Sequence, residues 1–136
     1  MKKTIILGFL ILFLTQTLLL GCAITPPGPP KPGVPGISNL TVPKTVNIGR
    51  KFPVSFQFED SEADIKTVTL TYEWSFGGPI SSESHSYDPR IYGKTNGICE
   101  FYGFAGKLPN VFDLSVYVED AKGNKSNILR TTIATK

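Results

Sequence analysis

TVTLTYEWSF, at residues 67–76, alternates polar and apolar side chains with a period of two. Successive side chains of a β-strand point to opposite faces, so this alternation predicts a strand with one buried face. Its many β-branched and aromatic residues favour a strand as well. The face predicted to be buried carries Val68, Leu70, Tyr72, Trp74 and Phe76.

Two other stretches show the same alternation: KFPVSFQF at residues 51–58 and VFDLSVYV at residues 111–118. Turn-forming pieces such as EDSEAD, FGGP and AKGN separate the alternating stretches, and no amphipathic helix of useful length is visible. Several short strands at this spacing predict an all-β domain built as a β-sandwich. Its inward positions in these two strands would be Phe52, Val54, Phe56, Phe58, Phe112, Leu114, Val116 and Val118.

The N-terminus is typical of a secretory signal peptide. A short cationic head precedes an apolar run at residues 5–14, which small polar residues then interrupt. The run is shorter than the roughly 20 apolar residues that a membrane-spanning helix requires. We therefore expect residues 1–21 to be a signal peptide.

Leu19-Leu20-Gly21-Cys22 resembles the lipobox of bacterial lipoproteins. The resemblance implies that the Cys22 thiol receives a diacylglycerol, that the chain is cut before Cys22, and that acyl chains then hold it on a membrane. An ordinary signal peptide with a chance cysteine is the alternative. Ala23 stands where inner-membrane lipoproteins tend to have Asp, so the resemblance implies the outer membrane of the bacterial cell envelope. The side of that membrane is left open.

ITPPGPPKPGVPG, at residues 24–36, is almost entirely proline and glycine. Such a segment favours polyproline II at about 3.1 Å per residue, so residues 24–36 could hold the domain roughly 35–40 Å off the membrane surface. We expect the stalk, with Cys22 at its start, to be residues 22–36. Recognition of its PxxP spacing by an SH3-type domain is a poor alternative outside the cytoplasm. The folded domain is expected at residues 37–136.

The charge argues against a nucleic-acid partner. Losing Lys2 and Lys3 with the signal peptide reduces the 14 basic residues to 12, against 11 acidic ones, and no basic patch remains. One cysteine besides Cys22 is present, Cys99, which cannot close a disulfide within the mature chain. Because it lies in an apolar, strand-like stretch, we expect a buried thiol; an intermolecular disulfide is the alternative.

SVYVEDAKGNKSN, at residues 115–127, resembles the last hairpin of bacterial immunoglobulin-like and PKD-like domains. YEWSFGG, at residues 72–78, is similar to a PKD signature, although Ser75 stands where that family has an acidic residue. The resemblance covers residues 37–135 and implies an immunoglobulin-like antiparallel β-sandwich, with Trp74 as the core tryptophan of the third strand. The implied strands lie at residues 37–42, 51–58, 66–76, two within 84–104, 111–118 and 125–134.

Two acidic turns are candidate ligands for a metal ion. In an immunoglobulin-like sandwich the turn after the second strand and the turn of the last hairpin lie at the same end. Calcium prefers six to eight oxygen ligands, largely carboxylates and carbonyls. The residues of this predicted calcium site are Asp60, Glu62, Asp64 and Asp120. The alternative is that Asp60 and Asp120 accept hydrogen bonds from turn amides and that the other carboxylates are solvated.

A second candidate is the polar region around residues 78–97, where Tyr87, Arg90 and Tyr92 could contact a protein or a glycan. An irregular strand with its loops is the alternative. His85, the one histidine, lies among serines near Asp88, but no nucleophile elbow accompanies it, so a Ser-His-Asp triad is not predicted. A zinc site is equally improbable with one histidine and one buried thiol. The chain is not expected to be an enzyme.

These observations predict a lipid-anchored cell-envelope protein with one immunoglobulin-like domain that acts as a non-enzymatic binding or adhesion module. A structural accessory subunit of a periplasmic or envelope assembly, or an inhibitor of an extracellular enzyme, are the alternatives. The expected partners are the membrane, through the lipid anchor, and an unidentified protein or glycan. No cofactor other than calcium is predicted.

The lipobox gives a first prediction. Replacing Cys22 with Ser removes the thiol that would be acylated, so metabolic labelling with a radioactive or clickable fatty acid should disappear. A Cys99→Ser chain serves as the matched control and should keep the label. Labelling that persists in Cys22→Ser would contradict the lipoprotein interpretation.

Overall fold

The computed structural model describes residues 31–75, 77–108 and 110–136. The signal peptide, Cys22 and most of the proline-rich segment lie outside these residues, as does Phe76. Within them, no helix is long and apolar enough to cross a membrane. The strands are β1 (Gly36–Thr41), β2 (Thr45–Val46), β3 (Lys51–Glu59), β4 (Ile65–Trp74), β5 (Ser81–Tyr87), β6 (Asn96–Phe104), β7 (Val111–Asp120) and β8 (Leu129–Thr135).

The strands form two sheets. One has the order β1-β3-β6 and the other has the order β2-β8-β7-β4-β5. Every pairing is antiparallel except that of the short β2 with β8. Strands A, B and E of an immunoglobulin-like domain share one sheet while C, F and G share the other, and β1, β3, β6 and β4, β7, β8 follow that division. The predicted all-β, immunoglobulin-like sandwich is confirmed.

Several strand limits differ from the sequence prediction. The third predicted strand covers 65–74, and the last begins at Leu129 because Lys125 forms only one isolated bridge, with Glu119. β5 begins at Ser81, before the predicted range of 84–104, and β2 was not predicted. Neither strand leaves a periodic signal in the sequence, because β5 has almost no apolar side chains and β2 is only two residues long.

The inward faces of β3, β4 and β7 form the core, as their alternation predicted. In the register of β4 and β7, core residues lie directly beside one another, for example Leu70 beside Val116. The side chains of this central layer are at most 3% exposed: Phe52, Val54, Phe56, Phe58, Val68, Leu70, Tyr72, Phe112, Leu114, Val116 and Val118.

Trp74 does not occupy the central aromatic position of β4. It lies at the end of the strand and is half-buried against the edge of the core, whereas Tyr72 is only 1% exposed. The Tyr72 ring packs against Phe112, with ring centroids 5.7 Å apart. Its hydroxyl accepts a hydrogen bond from the Phe104 N–H at 3.3 Å. Because Tyr72 is in β4 and Phe104 is in β6, this bond links the two sheets.

Two residues of β6 are fixed by close packing. Cys99 is a free, buried thiol, as predicted, and burial together with the nearby Glu100 raises its pKa to about 11. Gly103 lies against the Phe52 ring, so that a Cβ at this position would meet a ring carbon at 2.6 Å. Any larger residue at 103 would therefore require the Phe52 ring to shift.

The bond between the sheets gives a second prediction. Tyr72→Phe keeps the ring in the core but leaves the partly buried Phe104 N–H without its acceptor. We expect it to lower the free energy of unfolding by about 1 kcal/mol, measured by denaturant unfolding. Tyr102→Phe, at a tyrosine that is 66% exposed, is the matched control and should leave stability unchanged. Equal stability of the two variants would show that the bond contributes nothing.

Candidate functional site

Two loops meet at one end of the sandwich. One joins β3 to β4 and the other joins β7 to β8. Ile65 and Asp120 face one another in the β4–β7 register, and the Ala121 N–H donates a hydrogen bond to the Asp64 carbonyl at 3.0 Å. The two acidic turns therefore lie at the same end, as the family resemblance implied.

Asp60 holds the first loop in shape. It is 2% exposed, and both of its carboxylate oxygens accept hydrogen bonds from N–H groups of its own loop. Oδ1 accepts from Glu62 at 3.2 Å, and Oδ2 accepts from Asp64 at 2.8 Å and from Ile65 at 3.2 Å. This is the role that the alternative interpretation gave to Asp60, and both oxygens are occupied.

Asp120 does the same for the second loop. Its Oδ1 accepts from the N–H groups of Lys122 at 2.9 Å and Asn124 at 2.8 Å, and its Oδ2 accepts from the Asn124 side chain at 2.7 Å. Burial opposes ionisation, but the bonds from the Asn124 side chain and from the N–H groups of Asn124, Lys122 and Gly123 outweigh it. The pKa of Asp120 is therefore lowered. The carboxylate is held ionised as a structural acceptor.

Three of the four predicted metal ligands converge. Oxygens of Glu62, Asp64 and Asp120 lie within 4.8 Å of one another. Asp64 Oδ1 is enclosed and has no hydrogen-bond partner among the described residues. Desolvation and the carboxylates of Asp120, Asp60 and Glu62 raise the pKa of Asp64, while Lys122 lowers it. The cluster is therefore anionic and partly neutralised by one ammonium group.

The ammonium group of Lys122 occupies one of the predicted calcium ligands. Lys122 Nζ pairs with Glu62 Oε2, and this hydrogen bond is the largest contribution to the raised pKa of Lys122. Asp60 is not one of the three converging residues, and the oxygens of Asp120 are engaged with its loop. An ion at this position would compete with Lys122 for Glu62. Calcium binding stays a prediction for Glu62, Asp64 and Asp120.

The loops also fix the start of the domain. The Asn124 side chain donates a hydrogen bond to the Gly33 carbonyl at 3.2 Å. The Asn127 side chain donates to the Ile37 carbonyl at 2.8 Å and accepts from the Ile37 N–H at 2.9 Å. The acidic end of the sandwich is therefore the end at which the chain enters from the N-terminal segment.

The structure does not bring the three predicted binding residues together as one exposed platform. Tyr87 is half-buried at the end of β5, and the centroid of its ring lies 6.0 Å from that of the Phe101 ring. Arg90 is exposed, with a left-handed backbone (φ 55°) and its N–H bonded to Asp88 Oδ1 at 2.8 Å. Tyr92 is 70% exposed. A binding role for Tyr87, Arg90 and Tyr92 stays a prediction, with Tyr92 the most accessible of the three.

His85 lies in β5 rather than in a loop. Its Nε2 is 2.7 Å from Glu83 Oε1, on the face that points toward the other sheet. The neighbouring hydroxyls of Ser84 and Ser86 point to the opposite face, where they pair with threonines of β4. These serines and His85 therefore face away from one another, which argues against a serine nucleophile activated by this histidine.

β6 carries an exposed apolar strip that the sequence pattern did not predict. Ile98, Tyr102 and Phe104 are 62%, 66% and 51% exposed on the outer face of the three-stranded sheet, and we call these three residues the β6 strip. Pro53 of β3 lies directly beside Tyr102 in the register. The signal was in the sequence: ICEFYGF, at residues 98–104, carries apolar side chains on both faces of its alternation.

No protein-family model matches this chain, and no curated protein sequence matches it significantly. Solved structures share its fold. It is similar to a Niemann-Pick type C2 protein from the Japanese carpenter ant, with a TM-score of 0.53 and 11% identity over 78% of this chain and 96% of that one. It is similar to Spo0M, a sporulation control protein from Bacillus subtilis, with a TM-score of 0.52 and 10% identity. That match spans 76% of this chain and 50% of Spo0M.

A PKD domain of an M14-like peptidase from Thermoplasmatales archaeon SCGC AB-540-F20 is also similar, with 17% identity over 76% of this chain and 94% of that one. Its TM-score is 0.47, so we draw no argument from it. At 10–11% identity, the likenesses to the Niemann-Pick type C2 protein and to Spo0M show a shared fold alone. Function has to be argued from the surfaces of this chain.

The acidic cluster gives a third prediction. If calcium binds, millimolar Ca²⁺ should increase the free energy of unfolding by RT ln(1 + [L]/Kd) and thereby raise the melting temperature. A chelator should reverse the rise. Lys122→Met removes the competing ammonium and should enlarge the rise, whereas Asp64→Asn should abolish it. Lys125→Met, which removes a lysine near Glu119 instead, is the matched control and should behave like the unmodified chain. No response to Ca²⁺ in the unmodified chain and in Lys122→Met would rule out the site.

Proposed function

We propose that this chain is a lipid-anchored, non-enzymatic binding or adhesion module of the bacterial cell envelope. The observation that carries the proposal is the β6 strip. Ile98, Tyr102 and Phe104 expose more than half of their side-chain surface on one face of a folded sandwich. Exposed aromatic residues that cluster on one surface are typical of sites that contact another molecule.

Two other parts of the surface, β5 and the acidic end, support this choice of face. On the outer face of β5 the exposed side chains are serines, and two of them are hydrogen-bonded to threonines of β4. At the acidic end, the carboxylates of Asp60 and Asp120 hold their own loops and Glu62 pairs with Lys122. These groups already have partners within the chain, whereas the apolar side chains of the β6 strip are in water.

The sequence supports the anchor. The lipobox-like Leu19-Leu20-Gly21-Cys22 would attach the chain to a membrane, and the proline-rich segment would hold the domain away from it. The hydrogen bonds from Asn124 and Asn127 fix the start of the domain at its acidic end. The β6 strip lies on the outer face of the three-stranded sheet and extends away from this end, from Ile98 to Phe104.

The partner in this proposal is a protein or a glycan. Tyrosine and phenylalanine rings provide large rigid surfaces for either. A nucleic acid does not fit, because the chain after the signal peptide has only one more basic than acidic residue, with 12 against 11.

Exposure on intact cells is the fourth prediction. A binding or adhesion module that faces outward should be cut, or released from its stalk, when whole cells are treated with proteinase K. A periplasmic protein in the same cells should stay intact as the control. Protection of this chain until the outer membrane is opened would overturn the adhesion role, and would favour an accessory subunit of a periplasmic assembly.

A further inference from the structure

β6 is an open edge of its sheet. It stands at the end of the order β1-β3-β6, and in the described part of the chain it pairs with β3 alone. Nine consecutive residues of β6 pair with β3 without a shift in register, from Asn96 to Phe104. A long, regular edge with exposed apolar side chains is a template for pairing with another strand.

β5 is the corresponding edge of the other sheet, and it is protected. Glu83 and His85 point inward from β5, beside the core positions Tyr72 and Leu70 in the register. Inward-pointing charged or polar side chains are one way in which proteins prevent a strand from adding to an edge. β6 has no such residue on its inward face, which carries Gly97, Cys99, Phe101 and Gly103.

The backbone groups of β6 that face outward can be identified. The Ala105 N–H donates to the Arg50 carbonyl, on the side of β3, and the Phe104 N–H donates to the Tyr72 hydroxyl. Alternate residues of an antiparallel pair turn both N–H and C=O toward the partner strand. The outward groups therefore belong to Ile98, Glu100 and Tyr102, whose side chains are also exposed, and to the carbonyl of Phe104, because the Phe104 N–H is bonded to Tyr72.

We propose that a second copy of this chain pairs with β6 through its own β6, antiparallel and about a two-fold axis at Phe101. The two three-stranded sheets would then form one continuous sheet. Side-chain complementarity favours this axis over the one at Glu100. With the axis at Phe101, Ile98 lies opposite Phe104 of the second copy, and Glu100 lies opposite Tyr102. An axis at Glu100 would instead place two like charges directly opposite one another, which is destabilising.

A shallow cleft supports the same arrangement. It has a volume of about 270 Å³ and lies at the start of β6, lined by Gln57, Phe58, Glu59, Asn96, Gly97 and Ile98. In the proposed register, Phe104 of the second copy lies opposite Ile98 at the border of this cleft. An apolar ring that is half-exposed in one copy is thereby covered by the other.

This inference rests on the proposed function in taking the β6 strip as the binding surface, but it does not depend on the lipid anchor. The antiparallel arrangement sends the two N-terminal segments out at opposite ends of the joined sheet. Because the proposed pairing involves only β6, the full chain can be tested both in cells and after detergent extraction, whichever side of the membrane the domain faces.

Disulfide trapping tests the register. Glu100→Cys and Tyr102→Cys are made in separate full-length chains with different tags, and both positions are exposed, so the core is left intact. Opposite residues lie about 5.5 Å apart at Cα, whereas diagonal ones lie about 7–8 Å apart, beyond the reach of a disulfide. Oxidation should therefore give a covalent dimer only when the two chains are expressed together. The unmodified chain, whose Cys99 is buried, gives the baseline.

A dimer from Glu100→Cys alone would place the axis at Glu100, and one from Tyr102→Cys alone would place it at Tyr102; either result would overturn the proposed pairing. No dimer in any sample, with unchanged melting of each chain, would overturn self-association at β6. That result would not contradict the proposed binding of a foreign partner. Protection of the chain from proteinase K on intact cells would contradict the adhesion role, but it would not contradict the dimer. Phe104→Lys, added to both chains of the Glu100→Cys and Tyr102→Cys pair, should abolish the trapped dimer, and Val111→Lys, at an exposed apolar residue of the other sheet, should not.

Discussion

Phe52, Val54, Phe56 and Phe58 occupy alternate positions of β3, and each must be removed from water while the residues between them stay in it. A single sheet cannot satisfy this condition, because its apolar face needs a second apolar face to cover it. β4 and β7 supply that face with side chains that lie side by side in the register. The position of every loop follows from this stacking of two sheets.

At the acidic end of the stacked sheets, the chain turns in two loops, and the backbone N–H groups of these loops need hydrogen-bond acceptors other than a neighbouring strand. Asp60 and Asp120 meet this requirement, because each accepts several N–H groups of its own loop and each is 2% exposed. The acidic residues therefore have a structural use before any ligand is considered. Among the side chains of the described residues, only Asp64 has an enclosed oxygen that accepts no hydrogen bond, and burial, followed by the neighbouring carboxylates, raises its pKa.

Alternation in the sequence was sufficient to predict the core strands and the sandwich, and the family resemblance implied that the two acidic loops meet. It was not sufficient where a strand lacks a clear polar and apolar face. β5 reads SSESHSY and is exposed on both faces, so its start at Ser81 was invisible. Trp74 has the right parity for the core, but the end of β4 leaves it half-buried, and Tyr72 takes the central place. Parity assigns a side chain to a face, whereas its burial depends on how far the opposite sheet extends.

The same distinction explains why the β6 strip was missed. Cys99 and Phe101 of β6 face inward with the parity of core residues, and Ile98, Tyr102 and Phe104 have the opposite parity and yet are apolar. In a strand that is covered on one face only, apolar residues of the outward parity gain nothing from the fold of their own chain. Their presence on a regular edge, whereas the β5 edge is polar, is the physical basis of the proposal that this edge contacts another molecule.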